Sequence, residues 1–236
     1  MSKQNAEQRR QKESAMLTKF SKALAVTGHY GSGKTNLSIN LALALKAEDR
    51  KVVLADLDVV NPYFVTADFK ELAASAGIDL IAPAFAGTSL DSPSLTGELG
   101  GQLGSGATVM IDAGGDAEGC YALGSYAPRI REAPYDMLFV VNFFRYLTGT
   151  PEQAAEYMKE IETASRLKVS GIVNNSNLSY QTGVEDVLQS IQKAEQLARL
   201  TGRPLLFTSV ERGLAGKLGE TGQAILPIDV YVKTPW

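Results

Sequence analysis

Cysteine is almost missing from this chain. One thiol, Cys120, can form no internal disulfide and offers no paired motif for zinc or redox chemistry. No run of about 18 apolar residues occurs, so no segment reads as a membrane-spanning helix. The first twenty residues, "MSKQNAEQRRQKESAMLTKF", lack the apolar stretch of a secretory leader, and the expectation is a cytoplasmic protein. Histidine is equally scarce, with His29 the single example among 236 residues. No linker rich in Pro, Gly or Ser divides the chain, and no internal repeat is found.

Charge is present but unevenly placed. Residues 1–22 carry six bases (Lys3, Arg9, Arg10, Lys12, Lys19, Lys22) against two acids (Glu7, Glu13), although the whole chain is at −3. A basic N-terminal extension, 1–22, therefore precedes an acidic body, 23–236, read as a single domain. An acidic body disfavours nucleic acid as its ligand, and only the extension could offer a basic contact.

The body alternates short apolar runs with helical patterns. Strand-like segments fall at 23–26, 51–56, 78–83, 107–112, 136–142, 169–175 and 204–210. Between them, Thr150-Pro151-Glu152-Gln153 has the residues of a capping box with proline in the first turn. Ala154, Tyr157, Met158 and Ile161 follow at helical spacing. Val184, Val187, Leu188, Ile191, Ala194 and Leu197 repeat that spacing until Gly202-Arg203-Pro204 stops it. Such alternation predicts an α/β fold with a mostly parallel, twisted sheet and helices on both faces. "TSLDSPSLTGELGGQLGSG" (88–106) is the loosest stretch and reads as a flexible excursion.

Four motifs carry chemistry. "GHYGSGKT" (Gly28, His29, Tyr30, Gly31, Ser32, Gly33, Lys34, Thr35) fits G-x-x-x-x-G-K-[ST] between a buried strand and an apolar helix, which Asn36 continues. Its amides and helix dipole suit a phosphate, Lys34 the β- and γ-phosphates, and the Thr35 hydroxyl Mg²⁺. "VVLADLDVVNPYF" ends a strand in Asp56 and Asp58, at the sheet edge where α/β proteins bind ligands. "TVMIDAGGD" places Asp112 after an apolar strand, as a Walker B acid near the metal. Gly115 follows as the glycine of a D-x-x-G switch whose N–H can meet a γ-phosphate, and then comes Asp116. "GIVNNSN" ends a strand in Asn174 and Asn175, amides suited to an adenine edge, with Asn177 where a guanine pocket would want aspartate.

Taken in order, these pieces resemble the P-loop class that includes the Min/Par positioning ATPases, the nitrogenase iron protein and cobyrinate-synthase-type nucleotide-binding domains. The resemblance spans Ala23 to Val210. It implies a P-loop fold, ATP and Mg²⁺ as cofactors, and slow hydrolysis used as a conformational switch. Asp58 would orient the attacking water, Thr35, Asp56 and Asp112 would serve the metal, and Asn175 would read the base, with Asp116 a supporting acid. A nucleotide-dependent homodimer and a further protein partner are the implied assemblies. An ATP-dependent ligase or kinase of the cobyrinate or dethiobiotin type, or a scaffold that never hydrolyses ATP, stay open as alternatives.

The departures are specific. Min/Par members carry a lysine at the second loop position, which here is His29, and an imidazole does not reach as a lysine does. The C-terminus "AILPIDVYVKTPW" shows β-like residues where a membrane-targeting helix would be expected. One cysteine per chain cannot supply a cluster's usual four ligands, so Cys120 is expected to be a buried thiol. "NPYF" (61–64) is unusual for a switch loop and is expected to pack on the core or meet a partner.

Overall fold

The computed structural model describes residues 11, 14–58, 67–82, 93–115 and 117–232. Asp116 and the "NPYF" segment lie outside the described residues.

The chain builds β1 (Ala23–Thr27), α1 (Lys34–Ala47), β2 (Val52–Asp56), α2 (Ala67–Ala76), β3 (Asp79–Ile81), α3 (Pro93–Gln102), β4 (Thr108–Asp112), α4 (Ala117–Ser125) and α5 (Ala127–Ile130). It continues through β5 (Tyr135–Val141), a 3₁₀ turn at Tyr146–Thr148, α6 (Pro151–Ser165), β6 (Gly171–Asn174), α7 (Val184–Thr201), β7 (Leu205–Glu211), α8 (Arg212–Ala215) and β8 (Ile225–Ile228). The eight strands form one sheet in the order β3-β2-β4-β1-β5-β6-β7-β8, and every neighbouring pair is parallel.

Alternation within the strands divides the core between the two faces of the sheet. In β1, Ala23 and Ala25 face one apolar layer with Val109, Ile111 and Phe139, while Leu24 and Val26 face the other with Leu37, Leu41 and Leu45 of α1. The wholly buried strands "ALAVT", "VVLAD" and "TVMID" are covered on both sides, which explains their unbroken apolar character. β1 has β4 on one side and β5 on the other, although the chain leaves β1 for β2. Such a reversal opens a crevice at the carboxyl ends of the strands.

Several expectations meet the structure directly. The capping box at Thr150 forms: Gln153 N donates to Thr150 Oγ1 at 3.3 Å and Thr150 N donates to Gln153 Oε1 at 3.2 Å. Ala154, Met158 and Ile161 are buried below it, and in α7 Val187, Ile191, Ala194 and Leu197 are buried while Leu188 is exposed. Cys120 is a fully buried thiol that forms no disulfide.

Three details differ. The strand at 78–83 is shorter, since β3 covers only Asp79–Ile81. The stretch read as a flexible excursion contains α3, because Leu99 and Leu103 bury against the β4 face of the core and hold a glycine-rich helix that propensity disfavours. An eighth strand, β8, joins the edge beside β7, where Pro227 lacks a donor that an edge strand can spare. Residues 14–22 also pack on the domain. Leu17 and Phe20 enter the core, and Arg50 donates to the Phe20 and Thr18 carbonyls at 2.9 and 2.8 Å.

Thr150→Ala should remove one capping bond and lower unfolding stability by about 1 kcal/mol, read as a lower urea midpoint at unchanged slope.

Candidate functional site

The four motifs converge where β1, β2, β4 and β6 end. Asp56 and Asp112 are register partners at the ends of neighbouring strands, and Val26 is paired with Asp112 just before the glycine loop. The loop from Gly28 to Gly33 feeds directly into α1 with no side chain capping its amides. The uncapped amides at the start of this 14-residue helix and its dipole therefore offer an anion site at the loop.

Two glycines owe their identity to close approach. Gly33 has φ 85°, and a methyl group on it would lie 2.2 Å from Asn175 Nδ2. A methyl group on Gly115 would lie 2.7 Å from both Lys34 Nζ and the Tyr30 amide nitrogen, and 3.0 Å from the Gly28 carbonyl oxygen. Gly115 thus sits in the mouth of the loop.

Asp112 is held by two hydroxyls of α1. Its Oδ2 accepts from Thr35 Oγ1 at 2.7 Å and its Oδ1 from Ser38 Oγ at 3.0 Å. Its pKa is pushed up to about 6, chiefly by burial; Asp58 adds to the rise, while Lys34 and the two hydroxyls oppose it. Asp58 N donates to Asp56 Oδ1 at 2.9 Å, so the two acids of the D-x-D form one turn, and both are buried. Lys34 is buried as well.

The donors suit a hard divalent cation brought in with a phosphate ligand. Thr35 directs its hydroxyl hydrogen to Asp112, which leaves the oxygen lone pairs for an ion. Mg²⁺ typically keeps several waters and takes one or two protein oxygens beside phosphates. Among the described residues no group of three or more His, Cys, Asp or Glu side chains could hold an ion by itself. A shared site with nucleotide phosphates is the arrangement these residues fit.

His29 is half-buried. Its Nδ1 carries the hydrogen, because it lies 2.8 Å from the Tyr30 carbonyl oxygen, which can only accept. Its ring meets Tyr157 of α6 edge-on, with centroids 4.9 Å apart. Its pKa lies below the usual 6.5. Burial is the main cause, Lys34 and Arg145 contribute, and the Tyr30 carbonyl opposes them.

Other residues expected at the site divide. Asn175 is buried, and its amide is already engaged: Nδ2 donates to the Ser32 carbonyl at 2.7 Å and Oδ1 accepts from Ser209 Oγ at 2.8 Å. Asn174 turns inward to Ser190 and Thr208. Asn36 faces away from the loop, donating to the Asp229 carbonyl at 3.0 Å and accepting from the Tyr231 amide at 2.8 Å. The Tyr30 side chain is 61 % exposed.

Four residues were not foreseen there. Ser38 lies one turn after Thr35, a spacing that puts both hydroxyls on one helix face. Arg145 follows β5 at the same sheet edge and donates from Nε to the Gly31 carbonyl at 3.0 Å. Tyr157 was legible only as part of an apolar helix face. Ser209 sits mid-strand and carries no local signal. An open cavity of about 590 Å³ bordered by Lys22, Arg50, Lys51 and Thr108 lies at the opposite, amino edge and includes none of these groups.

Fold and site together define a P-loop nucleotide-binding protein. The chain belongs to the CobQ/CobB/MinD/ParA nucleotide binding domain family, whose profile matches residues 24–214. No curated protein matches it. Among solved structures it is similar to the cell division protein FtsY of Thermotoga maritima (17% identity, TM-score 0.57, covering 94% of this chain and 74% of that one). It is also similar to the signal recognition particle receptor FtsY of Elizabethkingia anophelis (21%, 0.52, 93% and 68%). The 54 kDa signal recognition particle protein of Aeropyrum pernix, solved with GDP, is a further neighbour (19%, 0.53, 79% of this chain but 41% of that one). At these identities the likeness is one of fold.

The Asp112 shift has a defined sign. Its native pKa exceeds the unfolded value of 3.8, so its contribution to stability is fullest below that value and is lost as pH rises through about 6. Magnesium needs the ionised form. Mg-nucleotide affinity should therefore be about tenfold lower at pH 5 than at pH 7, and Asp112→Asn should abolish that difference, read by calorimetric titration of both proteins.

Proposed function

We propose that the protein binds Mg-ATP and hydrolyses it slowly, as a switch that changes its assembly state. The carrying observation is the union at one sheet edge of an uncapped glycine loop, buried Lys34 and a Thr35–Asp112 pair at 2.7 Å.

In this reading the loop amides and Lys34 hold the phosphate oxygens, and Thr35 and Asp112 hold the metal side. Bound Mg²⁺ would neutralise charge on the β- and γ-phosphates. Asp58 orients a water toward the γ-phosphorus. A bond forms between that water oxygen and phosphorus, and the bond to the β–γ bridging oxygen breaks to give ADP and phosphate. Nothing in the loop supplies the second-position lysine, which accords with slow turnover unless a partner completes the site.

Support for adenine rather than guanine comes from what β6 leads into. The third residue after Asn174 is Asn177 and the third after Asn175 is Leu178, so neither frame carries the carboxylate a guanine edge would use. Support for a docking surface comes from the loops after β1, β5 and β6, adjacent strands whose loops expose Tyr30, Tyr146 and Tyr180. These loops are bonded together, Arg145 to Gly31 and Asn142 to Asn177. Aromatic side chains on a rigid edge beside the phosphate loop suit a second copy of the chain or another protein.

Light scattering with and without Mg-ATP should show a doubled mass with ATP, and Asp58→Ala should hold the protein there. A monomer in every nucleotide state would defeat the switch. Lys34→Ala should weaken ATP binding roughly 10- to 100-fold, as expected for a lost charged hydrogen bond. GTP competing as well as ATP would overturn the adenine assignment.

A further inference from the structure

We propose that Tyr157 sets the position of Gly115 and thereby decides how the site tells a nucleoside triphosphate from a diphosphate. The proposal rests on the nucleotide reading above and adds a residue to it.

The Tyr157 hydroxyl, on α6, donates to the Gly115 carbonyl. Gly115 in turn lies against Lys34 Nζ and the Tyr30 amide, with the close contacts described above. Lys34 and an early loop amide are the groups that a terminal phosphate must reach. The later amides, from Gly33 onward, are not among the nearest neighbours of Gly115. A diphosphate can occupy that later part of the cradle with Gly115 in place. A triphosphate has to move Gly115 outward, and outward movement breaks the Tyr157 bond.

The surroundings make this a defined two-position element. The Gly114 backbone packs so closely on Gly119 that a methyl group on Gly114 would lie 2.7 Å from Gly119 Cα. A methyl group on Gly124, at the end of α4, would lie 2.7 Å from the Ala164 carbonyl oxygen of α6. Gly124 of α4 is therefore seated on α6, and Gly115 is bonded to α6 through Tyr157. Displacing Gly115 is a change in how α4 meets α6, and packed interfaces of this kind move between discrete arrangements. Tyr157 acts through Gly115 and is a positioning residue.

His29 gives the proposal a direct reporter. It is the chain's only histidine, and its ring stands edge-on to Tyr157, so one imidazole NMR signal records the tyrosine's ring current.

The test compares a non-hydrolysable ATP analogue with ADP on the full chain. Tyr157→Phe keeps the ring and removes the hydroxyl. It should tighten the analogue about fivefold, the size of one neutral hydrogen bond, and leave ADP unchanged. In the wild-type protein the His29 signal should shift further with the analogue than with ADP. Equal changes for both nucleotides, no change for either, or a His29 signal indifferent to the analogue would each overturn the role of Tyr157. Lys34→Ala in parallel separates the two levels. If the wild type binds both nucleotides and Lys34→Ala weakens them while Tyr157→Phe leaves their ratio unaltered, only the tyrosine assignment falls. A wild type that binds neither nucleotide overturns the nucleotide reading and this proposal with it.

Discussion

The side-chain amide of Asn175 fastens the glycine loop to the sheet. The glycine loop has one internal backbone bond, Ser32 N to the His29 carbonyl at 3.0 Å, to hold its shape, and its glycines make it costly to order. Asn175 supplies the missing constraint from β6. Nδ2 takes the Ser32 carbonyl, Oδ1 takes the Ser209 hydroxyl, and Gly33 lets the amide come close enough to do both. Arg145 adds a second clamp one carbonyl earlier, at Gly31. With two consecutive carbonyls tied outward and the Ser32 amide on the His29 carbonyl, the uncapped amides that open α1 are left for a ligand. Phosphate binding in this fold therefore depends on a strand lying two places from the loop's own strand in the sheet. A purine-reading role for Asn175 has to coexist with that structural one: the amide has a second hydrogen, and its oxygen a second lone pair.

Charge in the site is balanced by burial as much as by pairing. Lys34, Asp56, Asp58 and Asp112 are all buried within one crevice. Asp112 responds by holding its proton until about pH 6, despite Lys34 and two hydroxyl donors. Without a cation the crevice favours fewer negative charges than it has carboxylates. The ion and the triphosphate carry opposite charges, and each relieves a cost that the other would impose alone. That coupling is the physical reason to expect metal and nucleotide to bind as a unit.

Much of this was legible in the residues. Apolar runs at "ALAV", "KVVLAD" and "ATVMID" marked strands because these central strands are buried on both faces along their whole length. "GHYGSGKT" and the acid after "TVMI" were legible because their chemistry is local to a few consecutive residues. What escaped depends on contacts between distant segments. The helix in residues 93–102 is held by Leu99 and Leu103 against a core its own composition does not announce. Asn36 looks like part of the phosphate motif but spends its amide on the C-terminal segment, almost two hundred positions away. Arg145 and Tyr157 reach the loop only because β5 and α6 pack beside it.

His29 shows how such contacts change the meaning of one position. A lysine there would set a third cation beside Lys34 and Arg145, and a long stem would carry its charge out to a neighbouring molecule. The imidazole does neither. Its Nδ1–H is spent on the Tyr30 carbonyl, its ring meets Tyr157, and burial, with the two cations, lowers its pKa. A ring held in this way is turned inward, toward the tyrosine that grips Gly115. The second loop position is thus part of the protein's own internal contacts, through Tyr157, with Gly115. Any second cation in the site must come from elsewhere, and the guanidinium already standing on the loop's rim is that of Arg145.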